Sequence, residues 1–348
     1  MLRPDWDVTT DRFPDVAGGR LLLLRPGAIG DTLMTLPALL VLRRCFPEVL
    51  IEVAGNAAAL PLAEAAGVVD RWLSFDDTRV TRLFVPGPPA ATDAFLGLTA
   101  AVAWCADPDG ALAAGLRARG AESVIVTTSR PPASMPQHVA TYLLRTLDRL
   151  LASPAPPDPH GSEPPAAPAP EAVLVHEAEL PRIVPPTWAI LQADAALRVA
   201  NISGRAFLVV QPGSGSASKN WPAEQFAATI EAVRLRLGLP TVVLAGPADA
   251  AAIQRLSHLT ARPVPVLADL PLLVVAAVLL RARAYLGNDS GLAHLAGQLG
   301  LPTLALFGPT DPELWRPLGP RVHALRAEPL TDLSVETVLS ALVQLLES

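Results

Sequence analysis

Short runs of consecutive apolar residues, each followed by a turn and a segment with helical spacing, repeat along the chain. Residues 20–25 (RLLLLR) form such a run, residues 26–31 a turn, residues 32–46 a helical pattern and residues 49–54 a second run. Continuous apolar runs are typical of buried parallel strands, and the strand–turn–helix–strand order is a βαβ unit. The pattern predicts an α/β fold with a parallel sheet, in which residues 122–127 form a later strand.

The second half of the chain repeats this order. Strands are predicted to end at Gln211, Ala245, Gly287 and Phe307, and each is followed by a loop rich in Gly, Ser, Asp or Pro. The carboxyl ends of parallel strands meet at one edge of a sheet, which is where open α/β sheets bind ligands. We therefore expect the four loops to converge on one rim.

Two proline-rich stretches divide the chain. Residues 153–170 consist largely of Pro and Ala and cannot bury a core, and residues 181–186 contain a second break. The prediction is an N-terminal domain over residues 1–175, with the linker within 153–186, and a C-terminal domain over residues 176–330. Residues 331–348 are then a terminal helix.

Composition narrows the function classes. The 348 residues carry a formal net charge of −6, which argues against nucleic-acid binding. The two cysteines, Cys45 and Cys105, suggest neither a metal cluster nor a disulfide framework, and we expect both to be buried apolar side chains. Residues 270–280 are the longest apolar segment, too short to span a membrane, and should form a buried helix. The N-terminus lacks the apolar region of a signal peptide, so we expect a cytoplasmic protein.

Arginine outnumbers lysine 26 to 1, and the single lysine, Lys219, lies in the first loop of the second half. Its neighbours Ser214, Gly215 and Ser216 leave backbone N–H and hydroxyl donors accessible, and an ammonium adds a point charge. This combination suits a phosphate. The alternative is a flexible surface loop.

Two further loops of the second half carry candidate ligand contacts. Asp289, Ser290 and Gly291 open a helix whose N-terminal dipole favours an anion, and His294 shares a helix face with Ser290. Gly246 and Asp249 follow the preceding predicted strand, where Asp249 either meets ribose hydroxyls or starts a helix. The loop 308–312 is rich in turn formers.

The turn after the first strand, PGAIGD, contains Gly30 and Asp31. Glycines at such a position let the backbone approach a ligand. Asp31 is either an acid at a helix N-terminus or a carboxylate placed at the ligand-binding edge of the sheet.

Together these stretches resemble glycosyltransferase family 9, the ADP-heptose:lipopolysaccharide heptosyltransferases. The resemblance rests on IGDTLMTLPAL, QPGSGSASKNWP and NDSGLAHLAGQLGLPTLALFGPTDP, in this order, and covers residues 20–317. It implies a GT-B fold, two Rossmann-like domains facing across a cleft, with the terminal helix packing back on the N-terminal domain. It also implies a nucleotide-diphosphate sugar donor, a glycan or glycolipid acceptor, and peripheral contact with the inner face of the cytoplasmic membrane.

The resemblance also implies residue roles. Asp31 matches the catalytic base, Lys219 the lysine on the donor diphosphate, and Ser214 a hydroxyl beside it. The segment from Asp289 to His294 matches the donor-binding motif, with Ser290 in place of Thr. A GT-B enzyme need not use a metal, so we expect no metal or other cofactor and an inverting transfer from the donor. The alternatives are a sugar-nucleotide epimerase on the same fold and a non-catalytic sugar-nucleotide-binding module.

Overall fold

The computed structural model describes residues 19–151, 180–246 and 249–347. Most of the predicted proline-rich linker lies outside these residues, as do residues 1–18, on which the expectation of no signal peptide rests. The chain divides into two compact units between Pro181 and Arg182, whereas the prediction placed the boundary between residues 175 and 176.

The first unit contains a five-stranded parallel sheet in the order β3-β2-β1-β4-β5. Its central strands are buried on both faces, because every residue from Leu21 to Leu24 and from Ala100 to Trp104 is almost fully inaccessible. Its strands are β1 (Arg20–Arg25), β2 (Leu50–Gly55), β3 (Arg71–Ser74), β4 (Ala100–Trp104) and β5 (Ser123–Thr127), and its helices are α1 (Ile29–Cys45), α2 (Leu60–Ala65), α3 (Thr78–Thr81), α4 (Ala111–Ala118), α5 (Val139–Thr146) and α6 (Asp148–Leu151).

The second unit contains a six-stranded parallel sheet in the order β11-β10-β9-β6-β7-β8. Its strands are β6 (Leu208–Gln211), β7 (Thr241–Ala245), β8 (Val266–Ala268), β9 (Ala284–Asn288), β10 (Thr303–Phe307) and β11 (Val322–Arg326), and its helices are α7 (Thr187–Val199), α8 (Ala223–Leu237), α9 (Ala250–Leu259), α10 (Leu272–Leu279), α11 (Gly291–Gln298), α12 (Pro312–Trp315) and α13 (Val335–Glu347). The predicted α/β class, with a parallel sheet in each half, is confirmed.

The strand order of the second sheet creates the place where a ligand fits. β6 pairs with β7 on one side and with β9 on the other. The strands β6, β7 and β8 therefore follow one another toward one edge of the sheet, and β9, β10 and β11 toward the other edge, so that the strand order reverses between β6 and β9. Open α/β sheets bind ligands outside the carboxyl ends of the strands at such a switch point. The loops after β6 and β9 flank it here.

Helix α1 begins at Ile29, three residues before the predicted start. Ala28 is extended and forms the N-cap, and Asp31 stands in the first turn with its side chain bonded to the backbone N–H of Ala28. Gly30 and Asp31 are therefore helical residues rather than part of the turn. The side chain of Asp31 supplies the acceptor that an early helix start requires.

Helix α13 contributes to the core of the second unit. The expectation that it also packs back on the N-terminal domain stays a prediction. Val338, Leu342 and Leu345 lie on one face and join the buried cluster that contains Phe226 and Ile230 of α8. The spacing of these apolar residues produces a stripe that a neighbouring helix covers. The indole of Trp221, which donates 2.9 Å to the carbonyl of Leu333, ties the loop after β6 to the same core.

Two simpler expectations have different outcomes. The apolar segment around residues 270–280 does form a buried helix, α10. The cysteines differ from the prediction: Cys45 is exposed and Cys105 is partly buried, because Cys45 is the last residue of α1 and lies beyond its last buried residue, Leu42. Among the described residues, no helix is both long and apolar enough to cross a membrane.

Candidate functional site

The carboxyl edge of the second sheet brings three loops together around one carboxylate. Oδ2 of Asp289, directly after β9, accepts a 2.7 Å bond from Nζ of Lys219 in the loop after β6. The same oxygen accepts a 2.7 Å bond from Oγ1 of Thr310 in the loop after β10. Asp289 is buried, and the Lys219 side chain keeps 30% of its surface exposed. The ammonium of Lys219 thus lies at the surface of the site, and the buried carboxylate of Asp289 neutralises its charge.

A buried network crosses the switch point beneath these loops. Oε1 of Gln211, the last residue of β6, accepts bonds from Oγ of Ser290 at 2.7 Å and from the hydroxyl of Tyr285 at 2.8 Å. Complete burial raises the pKa of the Tyr285 hydroxyl well above its ordinary value, which keeps it protonated and able to donate. The network holds the end of β6 against the start of α11.

Asp249 extends this network toward β7. Its Oδ2 accepts a 2.8 Å bond from the backbone N–H of Gly246 and lies 3.3 Å from Nε2 of Gln211. The side chain is almost fully buried, and Gly213 makes room for it, because a Cβ built at Gly213 would lie 1.9 Å from Oδ1 of Asp249. One carboxylate oxygen of Asp249 is thus committed to the protein itself.

Asn288 anchors both ends of the loop after β6. Its Nδ2 donates to the carbonyl of Pro212 at 2.9 Å, and its Oδ1 accepts the backbone N–H of Trp221 at 2.9 Å. Within the loop, Oγ of Ser214 is buried and lies 2.7 Å from Oδ1 of Asn220. Residues 215–218, which include Gly215 and Ser216, are exposed.

Helix α11 points its N-terminus at the same edge. Ser290 is the N-cap and accepts the backbone N–H of Ala293 at 3.3 Å. Gly291 is the first helical residue and His294, in the first turn, is buried. The dipole of the helix adds partial positive charge beside Lys219.

The site residues of the second unit are therefore close together, as the four-loop prediction required. Sequence reasoning missed Gln211, Tyr285 and Thr310 as structural partners. Gln211 and Tyr285 lie in apolar strand runs where a single polar residue has no visible partner, and Thr310 lies in a loop that reads as a plain turn. A polar residue in an otherwise buried strand was the one available signal, since such groups are normally hydrogen-bonded.

In the first unit, Asp31 is held at the carboxyl edge of β1. Its Oδ1 accepts a 2.8 Å bond from Arg25, and its Oδ2 accepts the backbone N–H of Ala28 at 2.8 Å. The Arg25 guanidinium is buried; burial lowers its pKa from the ordinary value, and the Asp31 carboxylate opposes that shift. Arg25 also donates to Oγ1 of Thr35 at 3.2 Å, so the carboxylate has one fixed orientation. It keeps 21% of its surface exposed.

Comparison with known protein families supports the sequence resemblance. Residues 172–339 match the model of glycosyltransferase family 9 (heptosyltransferase). Over 118 residues the chain is 32% identical to lipopolysaccharide heptosyltransferase 3 of Escherichia coli. This alignment covers 33% of the chain and 34% of the relative. Over 118 residues the chain is 37% identical to lipopolysaccharide heptosyltransferase 1 of Pseudomonas aeruginosa, covering 31% of this chain and 30% of the relative. The matched part thus spans about a third of each relative.

Solved structures share the fold over nearly the whole chain. A family 9 glycosyltransferase from Veillonella parvula superimposes with a TM-score of 0.74 at 19% identity and covers 96% of this chain and 99% of its own. The ADP-heptose lipopolysaccharide heptosyltransferase II of E. coli superimposes with a TM-score of 0.66 at 19% identity, covering 94% and 98%. The predicted GT-B fold class is confirmed. Over residues 172–339, the chain is similar to the glycosyltransferase family 9 (heptosyltransferase) domain.

Proposed function

We propose that this protein is an inverting glycosyltransferase whose second unit binds a nucleotide-diphosphate sugar. The observation that carries the proposal is the placement of Lys219 beside the α11 N-terminus at the switch point of the second sheet. One of the three N–H donors of the ammonium is used by Asp289. The others are available to a diphosphate, in a site that combines an ammonium with a helix dipole.

In this proposal the donor site stabilises the leaving group. As the bond between the anomeric carbon and the diphosphate oxygen breaks, the electron pair and the developing negative charge stay on the nucleoside diphosphate. Lys219, backbone N–H groups around Gly215 and Ser216, and the start of α11 at Ser290 and Gly291 meet that charge. Groups that are already oriented toward developing charge are the largest contributors to catalysis of this kind.

The nucleophile in this proposal is a hydroxyl group of the acceptor. Asp31 accepts the proton of that hydroxyl while the hydroxyl oxygen of the acceptor attacks the anomeric carbon. The attack comes from the face opposite the leaving diphosphate, so the configuration of the anomeric carbon is inverted. Arg25 and the N–H of Ala28 hold the carboxylate in one orientation. We assign Asp249, whose Oδ2 accepts the backbone N–H of Gly246, to the ribose end of the donor. We assign His294, in the first turn of α11, to the same donor site.

The relatives suggest the substrates. Two of the relatives are named lipopolysaccharide heptosyltransferases, and a third protein of this fold is described as an ADP-heptose heptosyltransferase. We therefore propose ADP-heptose as the donor and a lipopolysaccharide-core or other glycan as the acceptor, used in the cytoplasm. A glycolipid acceptor would bring the enzyme to the inner face of the cytoplasmic membrane.

The test measures release of nucleoside diphosphate from ADP-, UDP- and GDP-sugars, with and without a glycan acceptor, after a thermal-shift screen for donor binding. We expect release of ADP that requires acceptor and leaves a glycoside of inverted configuration. Binding without release would instead indicate a sugar-nucleotide-binding module. Conversion of the donor sugar without an acceptor would indicate an epimerase.

A further inference from the structure

A cavity of about 780 Å³ opens at the amino edge of the second sheet. Its walls come from residues that lead into β7 and β8, among them Pro240 and Pro265, and from helix α8 and the end of α9. The volume falls in the range of small-molecule sites, about 300–1,000 Å³. The proposed donor loops follow the carboxyl ends of the same parallel strands, so they lie at the opposite edge of the sheet. The cavity is therefore separate from the proposed donor site.

Two arginines in the walls have charges that the protein leaves uncommitted. Arg205 lies in the segment before β6, and Arg262 lies between α9 and β8. Both side chains are exposed, and neither guanidinium has a hydrogen bond or an ion pair with any residue that the structure describes. A guanidinium group presents a planar set of N–H donors that fits the oxygens of a carboxylate or phosphate. The two arginines are thus free to bind an anion.

The two carboxylates in the walls already have arginine partners of their own. Nε of Arg234 donates a 2.9 Å hydrogen bond to Oε2 of Glu231. Glu224 pairs at 2.8 Å with Arg255, which lies outside the cavity. The hydrogen bond from Arg234, and additionally the charge of Arg262, lower the pKa of the Glu231 carboxyl. The acidic residues therefore do not cancel the positive charge of the walls.

Most of the remaining wall is apolar, and it contains one buried polar atom without a partner. Ile202 and Ile230 contribute buried apolar side chains, and Val264 is partly buried. Thr241, the first residue of β7, also lines the cavity, and its buried Oγ1 has no hydrogen-bond partner among the described residues. Buried hydroxyls are normally hydrogen-bonded, because an unsatisfied one costs free energy. A ligand oxygen would supply the missing partner.

We propose that this cavity binds a small organic anion, with one carboxylate or phosphate group on an apolar body, and that it does so independently of the donor site. Arg205 and Arg262 bind the charged group, and the apolar walls cover the body. A bare inorganic anion would leave those walls in water, and a neutral apolar molecule would leave both guanidinium charges unused. The ligand therefore needs both parts.

The test uses anilinonaphthalene sulfonate, a fluorescent organic anion, and N-phenylnaphthylamine, the same compound without the sulfonate. Fluorescence titrations use the full-length protein at about 0.15 M salt, which largely screens surface charges more than about 8 Å apart. Arg205→Ala and Arg262→Ala should each weaken saturable binding of the anion about five-fold, the effect of one unit charge at about 4 Å in water. Binding of the neutral compound should not change.

Competition experiments with unlabelled compounds examine the two parts of the ligand and the independence of the site. Naphthoate and naphthyl phosphate should each displace the fluorescent anion, and the one that does so at the lower concentration identifies the preferred charged group. Inorganic phosphate at the same concentrations should not displace it, because it lacks the apolar body. An excess of ADP should not displace it either, because the donor loops lie at the other edge of the sheet.

Arg198→Ala is the matched control, because Arg198 is an exposed arginine of α7 outside the cavity and the charge change is the same. The proposal would be overturned by the absence of saturable binding of the anion, or by an equal loss in the Arg198→Ala protein. Unchanged binding in the two cavity variants, an equal loss for the neutral compound, or displacement by ADP or inorganic phosphate would also overturn it. None of these results depends on sugar transfer, so failure of the proposed function would be seen separately.

Discussion

Nζ of Lys219 donates a 2.7 Å hydrogen bond to Oδ2 of Asp289, which joins residues 70 positions apart in the sequence. The lysine lies in the loop after β6, and the aspartate directly follows β9, the neighbouring strand. An anion that binds the Lys219 ammonium therefore shares this ammonium with the buried carboxylate of Asp289. The pair orients the charge of the only lysine in the chain toward the edge where the proposed donor binds.

Loss of the Lys219 ammonium should slow turnover more than it weakens donor binding. The negative charge on the diphosphate grows as the sugar leaves, so Lys219→Ala is expected to cost about 2–4 kcal/mol in kcat. Lys219→Arg should rescue only part of this, because a planar fork does not replace a point charge. Arg255→Ala is the control, since Arg255 forms a comparable ion pair with Glu224 at 2.8 Å on exposed helices. Unchanged kinetics for Lys219→Ala would leave the loop without a catalytic role.

The hydroxyl of Thr310 should act through Asp289. Thr310→Val keeps the shape of the side chain but removes the 2.7 Å bond to Oδ2, which frees Asp289 to move with Lys219. We expect kcat to fall about three- to ten-fold, the effect of one hydrogen bond of about 1 kcal/mol, with a smaller change in the KM for the donor. Thr310→Ser retains the hydroxyl and should restore kcat. If valine and serine behave alike, Thr310 does not position the pair.

Asp31→Asn should separate a capping role from a catalytic one. The amide oxygen of asparagine can still accept the Ala28 N–H, but its NH2 group then faces the buried Arg25, which is also a donor. The melting temperature should therefore fall by a few degrees. If Asp31 is the base, transfer per folded molecule should also fall at least ~100-fold, while donor affinity stays normal. The control is Asp93→Asn, which breaks another buried aspartate–arginine pair of the same unit. Wild-type transfer by Asp31→Asn would remove Asp31 from the mechanism.

The Asp93–Arg119 pair should make stability depend on pH in a defined direction. Burial by itself raises the pKa of the Asp93 carboxyl, but hydrogen bonds from Arg119 and from the Phe95 N–H outweigh it and bring the pKa below the ordinary 3.8. A depressed pKa in the folded state stabilises the protein above the unfolded value, and this stabilisation is lost as the pH falls through the folded value.

We therefore expect Asp93→Asn to lower the free energy of unfolding by about 2 kcal/mol at pH 7, and the gap to wild type to close below about pH 4. Urea titrations at several pH values measure it. A gap that is the same at pH 3 and pH 7 would contradict the assignment.

Two glycines in the loop after β6 should respond differently to alanine. A Cβ at Gly213 would lie 1.9 Å from Oδ1 of the buried Asp249, whereas a Cβ at Gly215 meets no atom within 4 Å. Gly213→Ala is expected to lower the free energy of unfolding by about 1–3 kcal/mol and to weaken donor binding. Gly215→Ala should change the free energy of unfolding by no more than about 0.5 kcal/mol. In an Asp249→Ala background most of the Gly213→Ala penalty should vanish. Equal melting temperatures for the two single variants would show that Asp249 is not confined by this contact.

The sequence by itself determined the α/β class, the strands that lead into the candidate loops, and the sheet edge at which those loops meet. Buried parallel strands such as β1 and β10 are continuous apolar runs, and the loops after them are visible as clusters of Gly, Ser, Asp and Pro. The carboxyl ends of parallel strands share an edge, so the order of elements alone was enough to predict that Lys219 and Asp289 approach one rim. These features depend on local pattern and on chirality, which short stretches of sequence encode.

Only the tertiary structure decided which groups touch. The contact of Thr310 with Asp289, the burial of Tyr285 against Gln211, and the pairing of Asp31 with Arg25 depend on strand order and side-chain packing. The same holds for α13, whose apolar stripe could cover any apolar surface and packs on α8. Such choices are set by the total free energy of packing among distant segments, which no local period of the sequence contains.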